Sequence, residues 1–248
     1  MQIAGYLKTS LIEWPGKIAS VVFTPGCNFR CPFCHNPDLV DPRKLKKTKA
    51  LKEDEVFKDL CSRKKWIDAL VITGGEPTLQ KDLAKFLKKI KKAGFLTMIQ
   101  TNGTRPETLK EVLATRSPRG RSVDYFCLDL KGDLENYEKY TDVKCQMSNV
   151  KRSLEEIVKS GVEYEFRTTV VPGLHDLDNL KKLAEELEEI FRSLKLEIRD
   201  CRWFLQQFSQ MNCLDKKYLK LSPYSKKELE AFRQELQKII PNIFLRGV

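Results

Sequence analysis

Short runs of β-branched and aromatic residues alternate along the chain with longer stretches whose apolar positions recur every three or four residues. The short runs predict strands at Ser20–Thr24, Ala69–Thr73, Leu96–Thr101, Asp124–Leu130, Tyr164–Val171 and Trp203–Phe208. Between them, Leu83, Phe86, Leu87 and Ile90 fall on one helical face, and Leu177, Leu180, Leu183, Leu187 and Ile190 fall on another. Gly94 and Gly161 stand where a helix gives way to a strand, the usual place for a left-handed cap. Ser225 with Glu228 three residues on is a capping box that starts the last helix. Strands and helices alternating in this way predict an α/β fold with a parallel sheet. Six such units make an incomplete (β/α)6 barrel of the TIM type, with its site at the carboxyl ends of the strands. No internal repeat or linker divides the sequence, so residues 1–248 are expected to form a single domain.

Each predicted strand ends in a polar or glycine-rich cluster. In order these are Gly74-Gly75-Glu76-Pro77, Gln100-Thr101-Asn102-Gly103, Asp129-Leu130-Lys131, Val171-Pro172-Gly173 and Gln206-Gln207, with Arg167 inside the fifth strand. The first strand runs instead into Cys27-Asn28-Phe29-Arg30-Cys31-Pro32-Phe33-Cys34. This CxxxCxxC spacing puts three soft thiolates on one loop. Cubic iron–sulfur clusters usually take four thiolates, so three would leave one iron open to an outside ligand. The same cysteines with His35 also suit a four-ligand zinc site. Read alone, the spacing leaves both open; the ordered series of strand-end clusters favours the first.

With 248 residues and 41% hydrophobic content, the chain is long enough for one sizeable core. No apolar run reaches the roughly 18–20 residues that span a bilayer. The opening residues lack the apolar core of a secretion signal. Eight cysteines in such a chain point to a reducing compartment, the cytoplasm. Lys+Arg of 45 against Asp+Glu of 34 gives a net charge of +11, which suits nucleic acid, an acidic partner or simply a solvated surface. The basic runs at 43–47, 88–92 and 216–217 are scattered, and the second reads as the solvated face of a helix. The stretches 41–52 and 115–122 read as basic loops. Of the other cysteines, Cys61 and Cys127 read as core thiols, and Cys145 carries no assignment. Cys201 and Cys213 flank the sixth strand, where contact with a substrate stays open. His175 reads as a strand-end loop residue, more readily a surface histidine than one that reaches the mouth of the site.

The CxxxCxxC loop and the ordered strand-end clusters resemble the radical S-adenosylmethionine (radical SAM) enzymes. Cys34-His35-Asn36-Pro37-Asp38, Ser10-Leu11-Ile12-Glu13-Trp14-Pro15-Gly16-Lys17 and Asp129-Leu130-Lys131 narrow the likeness to the activating enzymes of glycyl-radical enzymes. Within these, the chain is most similar to the activators of anaerobic ribonucleoside-triphosphate reductase. Leu221–Ser225 and Leu245–Val248 fit that subgroup.

The resemblance implies a [4Fe–4S] cluster on Cys27, Cys31 and Cys34, with SAM chelating the open iron. It places Phe33 near the adenine, a position that a simple core aromatic would fill equally well. Gly74, Gly75 and Glu76 would face the methionyl amine, while Thr101, Asn102, Asp129, Lys131 and Arg167 would border the SAM pocket. Glu13 is expected to lie outside it. Related activases hold a monovalent cation beside the SAM carboxylate, using an acidic residue where this chain has the neutral Gln100. Thr101 and Asp129 would then have to carry that ion. The implied reaction is removal of a hydrogen from a glycine of a partner enzyme, an anaerobic ribonucleotide reductase. An electron donor such as ferredoxin or flavodoxin would supply the reducing electron. The alternative is radical SAM modification of RNA, a peptide or a small molecule.

Overall fold

The computed structural model describes residues 1–46, 49–144 and 147–248. Among these residues eight strands form one sheet whose spatial order follows the chain. They are β1 (Gly5–Ser10), β2 (Ala19–Thr24), β3 (Ala69–Gly74), β4 (Leu96–Thr101), β5 (Tyr125–Asp129), β6 (Glu163–Val170), β7 (Trp203–Gln207) and β8 (Ile243–Arg246). The connections from β2 to β8 carry, in turn, α1 (Glu53–Ser62), α2 (Leu83–Lys92), α3 (Pro106–Ala114), α4 (Met147–Lys159), α5 (Leu177–Ser193) and α6 (Lys226–Leu236). Each neighbouring pair from β2 onward is parallel, and only β1 runs against its neighbour. This is the partial (β/α) barrel expected from the sequence. All six predicted strands are present within a residue of their expected limits. The strands at either edge, β1 and β8, were not foreseen.

Alternate side chains of a strand point to opposite faces of the sheet. One set, including Val22, Ile72, Ile99, Phe126 and Leu128, joins the apolar faces of the helices in one large core. In α2, Leu83, Phe86, Leu87 and Ile90 are all buried there; in α5, Leu180, Leu183, Leu187 and Ile190 are buried and Leu177 is partly covered. Full burial of such a side chain contributes about 1.5–3 kcal/mol. The other set, Val21, Val71, Met98, Tyr125 and Cys127, gathers around Trp14 in a smaller cluster on the concave face. Two residues further along these strands, the concave face changes to Thr73, Gln100 and Asp129. Arg167 of β6 stands in register with Asp129. The apolar floor thus gives way to polar walls at the carboxyl ends.

The basic run 88–92 is only half solvated. Lys88 and Lys92 are exposed, but Lys91 is buried and ion-paired with Asp124. Lys89 reaches Glu53 at 3.0 Å and Asp54 at 2.8 Å. A helix facing an acidic neighbour can spend its lysines internally, which periodicity alone does not reveal. Among the described residues of the two basic loops, Pro42–Leu45 forms a helical turn, and Arg116–Ser117 pairs with Gly120–Arg121 as a short hairpin. Gly94 and Gly161 have positive φ, and the Ser225–Glu228 capping box is complete. Among the described residues no helix is long and apolar enough to cross a membrane.

Candidate active site

The cysteine loop leaves the end of β2 and folds back over the concave face. Arg30 stiffens it, its Nη1 donating to the carbonyls of Cys27 and Phe29, both at 2.7 Å. The Cys34 amide donates to the Cys31 carbonyl at 3.0 Å. Cys27, Cys31 and Cys34 are free thiols that line one cavity of about 970 Å³. Burial, and then the nearby Glu76 charge, push the Cys27 thiol up to about 11. Burial pushes Cys31 up to about 12, partly offset by Lys131, and raises Cys34 as well. Metal binding here must displace protons from all three.

Among the described residues no three His, Cys, Asp or Glu side chains converge on a single metal ion. A cubane places no such demand, because each thiolate binds a different iron. His35, the fourth ligand of the zinc alternative, is held by Nε2 to the Ser209 carbonyl at 2.8 Å. The donor set of three thiols on one cavity wall fits a cluster with one open iron better than a closed zinc site.

The turn after β3 is fitted to that loop. Its two glycines serve the chain's own backbone: a Cβ on Gly75 would lie 1.9 Å from the Gly26 carbonyl oxygen, and one on Gly74, at φ +115°, would lie 2.4 Å from the Thr24 nitrogen. The amides of Gly75 and Glu76 donate to the carbonyls of Thr24 and Gly26, each at 2.8 Å. This contact fixes where the cysteine loop begins. The Glu76 carboxylate is buried and accepts four hydrogen bonds: from the Thr78 amide (3.0 Å) and hydroxyl (2.5 Å), the Thr101 hydroxyl (2.6 Å) and the Asn102 amide (2.7 Å). Burial raises its pKa, and these donors oppose the rise. Asn102 in turn donates to the Asn28 side chain at 3.0 Å, tying the end of β4 to the cysteine loop.

Beyond this clamp lies a charged triad. Asp129 accepts from Arg167 Nε at 2.7 Å and from Lys131 Nζ at 3.0 Å. Burial would push its carboxyl up, but the two cations outweigh it and hold the group well below the usual carboxylate range. Burial likewise works against the Lys131 charge, and Asp129 reverses that effect.

All twelve residues expected at the site line this one cavity: Cys27, Cys31, Cys34, Phe33, Gly74, Gly75, Glu76, Thr101, Asn102, Asp129, Lys131 and Arg167. Two expectations are corrected. Glu13 is inside the cavity, its carboxylate accepting from Gln100 Nε2 at 3.0 Å. The antiparallel return from β1 to β2 carries it there, and β1 was not foreseen. His175 neither reaches the mouth nor lies on the surface. It is 1% exposed, accepts from the Val171 amide at Nδ1 (3.0 Å), and bonds the Lys131 carbonyl at Nε2 (2.8 Å). Cys201 and Cys213 are buried outside the cavity lining, Cys127 is a core thiol, and Cys61 packs partly buried against the core. Cys145 lies outside the described residues. Thr169 and Arg246 also line the cavity; strand alternation from Arg167 could have identified Thr169, since residues two apart share a face.

This barrel, with its cysteine loop and polar strand ends, defines a class. A family model for the radical SAM superfamily matches residues 21–195, and the chain belongs to that superfamily. It is therefore an enzyme of oxidoreductase type, and membership brings SAM and an iron–sulfur cluster as cofactors. Across 99% of its length it is 31% identical to a Methanocaldococcus jannaschii protein, 96% of which is covered, that carries the provisional name of glycyl-radical enzyme activating enzyme. It is also 31% identical to the pyruvate formate-lyase-activating enzyme of Clostridium pasteurianum, over 91% of this chain and 94% of that one. The protein is thus related to the glycyl-radical-enzyme activating enzymes.

Among solved structures, Streptococcus suis SuiB bound to its precursor peptide SuiA matches with a TM-score of 0.67 at 16% identity. That match covers 92% of this chain and 48% of SuiB, so the chain spans about half of that protein. A spore photoproduct lyase mutant matches with a TM-score of 0.64 at 13% identity, over 96% of this chain and 78% of the lyase. At such identities the likeness is one of fold.

Proposed function

We propose that the protein, as a single domain over residues 1–248, activates an anaerobic ribonucleotide reductase by removing a hydrogen from one of its glycines. The observation that carries the reading is full-length similarity to glycyl-radical-enzyme activating enzymes, joined to a cavity that gathers every expected cofactor residue. Cys27, Cys31 and Cys34 would hold a [4Fe–4S] cluster, which would supply the one electron needed for reductive cleavage of SAM. The protein binds, orients and excludes water. Glu76 locks the turn that carries Gly74 and Gly75, so their backbone groups can meet the methionyl amine. Lys131 and Arg167 present positive charge to the SAM carboxylate, and buried Phe33 offers an apolar wall to the adenine.

The rim suits a macromolecular substrate. Leu11 and Ile12, at the turn that brings Glu13 and Pro15 into the cavity, are 70% and 80% exposed. Met211, just beyond the lining residues Ser209 and Gln210, is 91% exposed. These side chains stand free beside the opening and could meet a partner's loop there. A one-electron donor of the ferredoxin or flavodoxin kind would reduce the cluster, in the cytoplasm. The test is anaerobic turnover. Adding the reductase should greatly accelerate 5′-deoxyadenosine formation, whereas acceleration by RNA or a small peptide, with none from the reductase, would reject the proposal.

A further inference from the structure

The cation held by related activases would need oxygen ligands at Gln100, Thr101 and Asp129, and here those oxygens are engaged. Gln100 donates from Nε2 to Glu13 at 3.0 Å, and its Oε1 accepts from the Thr73 hydroxyl at 3.0 Å and from Arg167 Nη2 at 3.2 Å. Chemistry fixes this orientation, because a carboxylate only accepts and a guanidinium only donates. The amide oxygen therefore faces Arg167, and any ion it bound would sit beside a permanent positive charge. The Thr101 hydroxyl donates to Glu76 at 2.6 Å and accepts from the Gly103 amide at 3.1 Å. Asp129 offers one oxygen to Arg167 and the other to Lys131, so one carboxylate already answers two cations. The residues present do not fit a monovalent cation.

We propose that this chain binds SAM without a monovalent cation. Arg167 and Lys131 supply the positive charge, and Gln100 sets the preference by bridging Glu13 to Arg167. The inference rests on the reading of this cavity as a SAM site, and it is independent of which partner receives the radical. The test is equilibrium SAM binding to the cluster-loaded enzyme in potassium, sodium or choline chloride at one ionic strength. The dissociation constant should agree within threefold across the three salts. Weakening of more than threefold in choline would overturn the proposal. Gln100→Glu adds a fifth charge to Glu13, Arg167, Asp129 and Lys131. That variant should bind SAM at least threefold more weakly in choline than in potassium, and a variant as indifferent as the wild type would remove Gln100 from the role. Failure to activate the reductase despite cation-independent SAM binding would reject the proposed function and leave this inference standing.

Discussion

Arg246 of β8 grips Glu165 of β6 with both ends of its guanidinium, at 2.6 and 2.9 Å, where the carboxylate is only 1% exposed. The contact reaches across the intervening β7, and the guanidinium rests 4.1 Å from the centre of the Phe204 ring. The Tyr125 hydroxyl donates to the same carboxylate at 3.1 Å. The ion pair thus ties this four-residue strand to the barrel in addition to its ladder with β7.

Replacing Arg246 with leucine leaves Glu165 buried without a counter-ion. Breaking a buried pair on one side typically costs about 3–5 kcal/mol. Arg246→Leu should lose stability on that scale in urea denaturation, and adding Glu165→Gln should restore most of it. A loss below about 1 kcal/mol for the single change would show that the pair contributes little.

Glu76→Gln tests the clamp between β3 and β4. All four groups meeting this carboxylate are donors, so an amide must turn its NH2 against the amide of either Thr78 or Asn102. An unsatisfied buried donor costs about 1–3 kcal/mol. Thermal or denaturant melts should show that loss, with SAM affinity falling about tenfold or more. Glu13→Gln keeps an acceptor for Gln100 and should be milder on both counts. Equal effects from the two substitutions would remove Glu76 from its special role.

His175 predicts an acid weakness. Burial pulls its pKa down from 6.5 to about 4, and its ring stacks on Tyr140 at 4.8 Å. Above pH 6.5 both folded and unfolded chains hold it neutral, and its contribution is complete. As pH falls from 6.5 to 4 the unfolded chain takes up a proton that the folded chain refuses. The His175 contribution to stability should therefore drop through that window by about 3 kcal/mol and level off below it, where the depressed Asp129 carboxyl takes over the acid response. His175→Phe should be less stable at pH 7 yet show a flatter pH profile between 4 and 6.5. An unchanged slope would mean that other groups set the acid response.

The strands around the site were legible because a parallel sheet repeats one signal: a β-branched run, then a polar cluster where the ligand binds. Asp129 and Gln100 stood out at such ends, and Arg167 as a lone charge inside the fifth strand. What stayed hidden depended on pairing across long separations. Glu13 meets Gln100 only because β1 turns back antiparallel on β2, and nothing in Ser10–Lys17 encodes that partner. His175 bonds backbone groups of Val171 and Lys131, which every residue carries, so no motif could announce it. Gly74 and Gly75 were singled out for a close backbone approach to a ligand, whereas the backbone seen packed against them belongs to Thr24 and Gly26. β8 is four residues long and partly exposed, too short to show a period.

The cluster ligands are tested by iron content. Anaerobic reconstitution should load about four irons, the stoichiometry of a cubane. Cys27→Ala, Cys31→Ala or Cys34→Ala should abolish it, whereas Cys61→Ala or Cys127→Ala should leave it intact. Zinc alone in the site, or need of a further cysteine, would contradict a three-thiolate cluster.

The most direct test of the whole account is electron paramagnetic resonance on the protein mixed anaerobically with SAM, a reductant and an anaerobic ribonucleotide reductase. A glycine-centred radical should give a doublet from coupling to its remaining α-hydrogen. The doublet should collapse when glycine in the reductase is deuterated at Cα. Docking through a shaped surface should survive moderate salt, which screens charge-only capture. A doublet that collapses on deuteration is the predicted result. No radical on the reductase, under conditions where the same protein cleaves SAM rapidly with RNA or a peptide, would contradict the account.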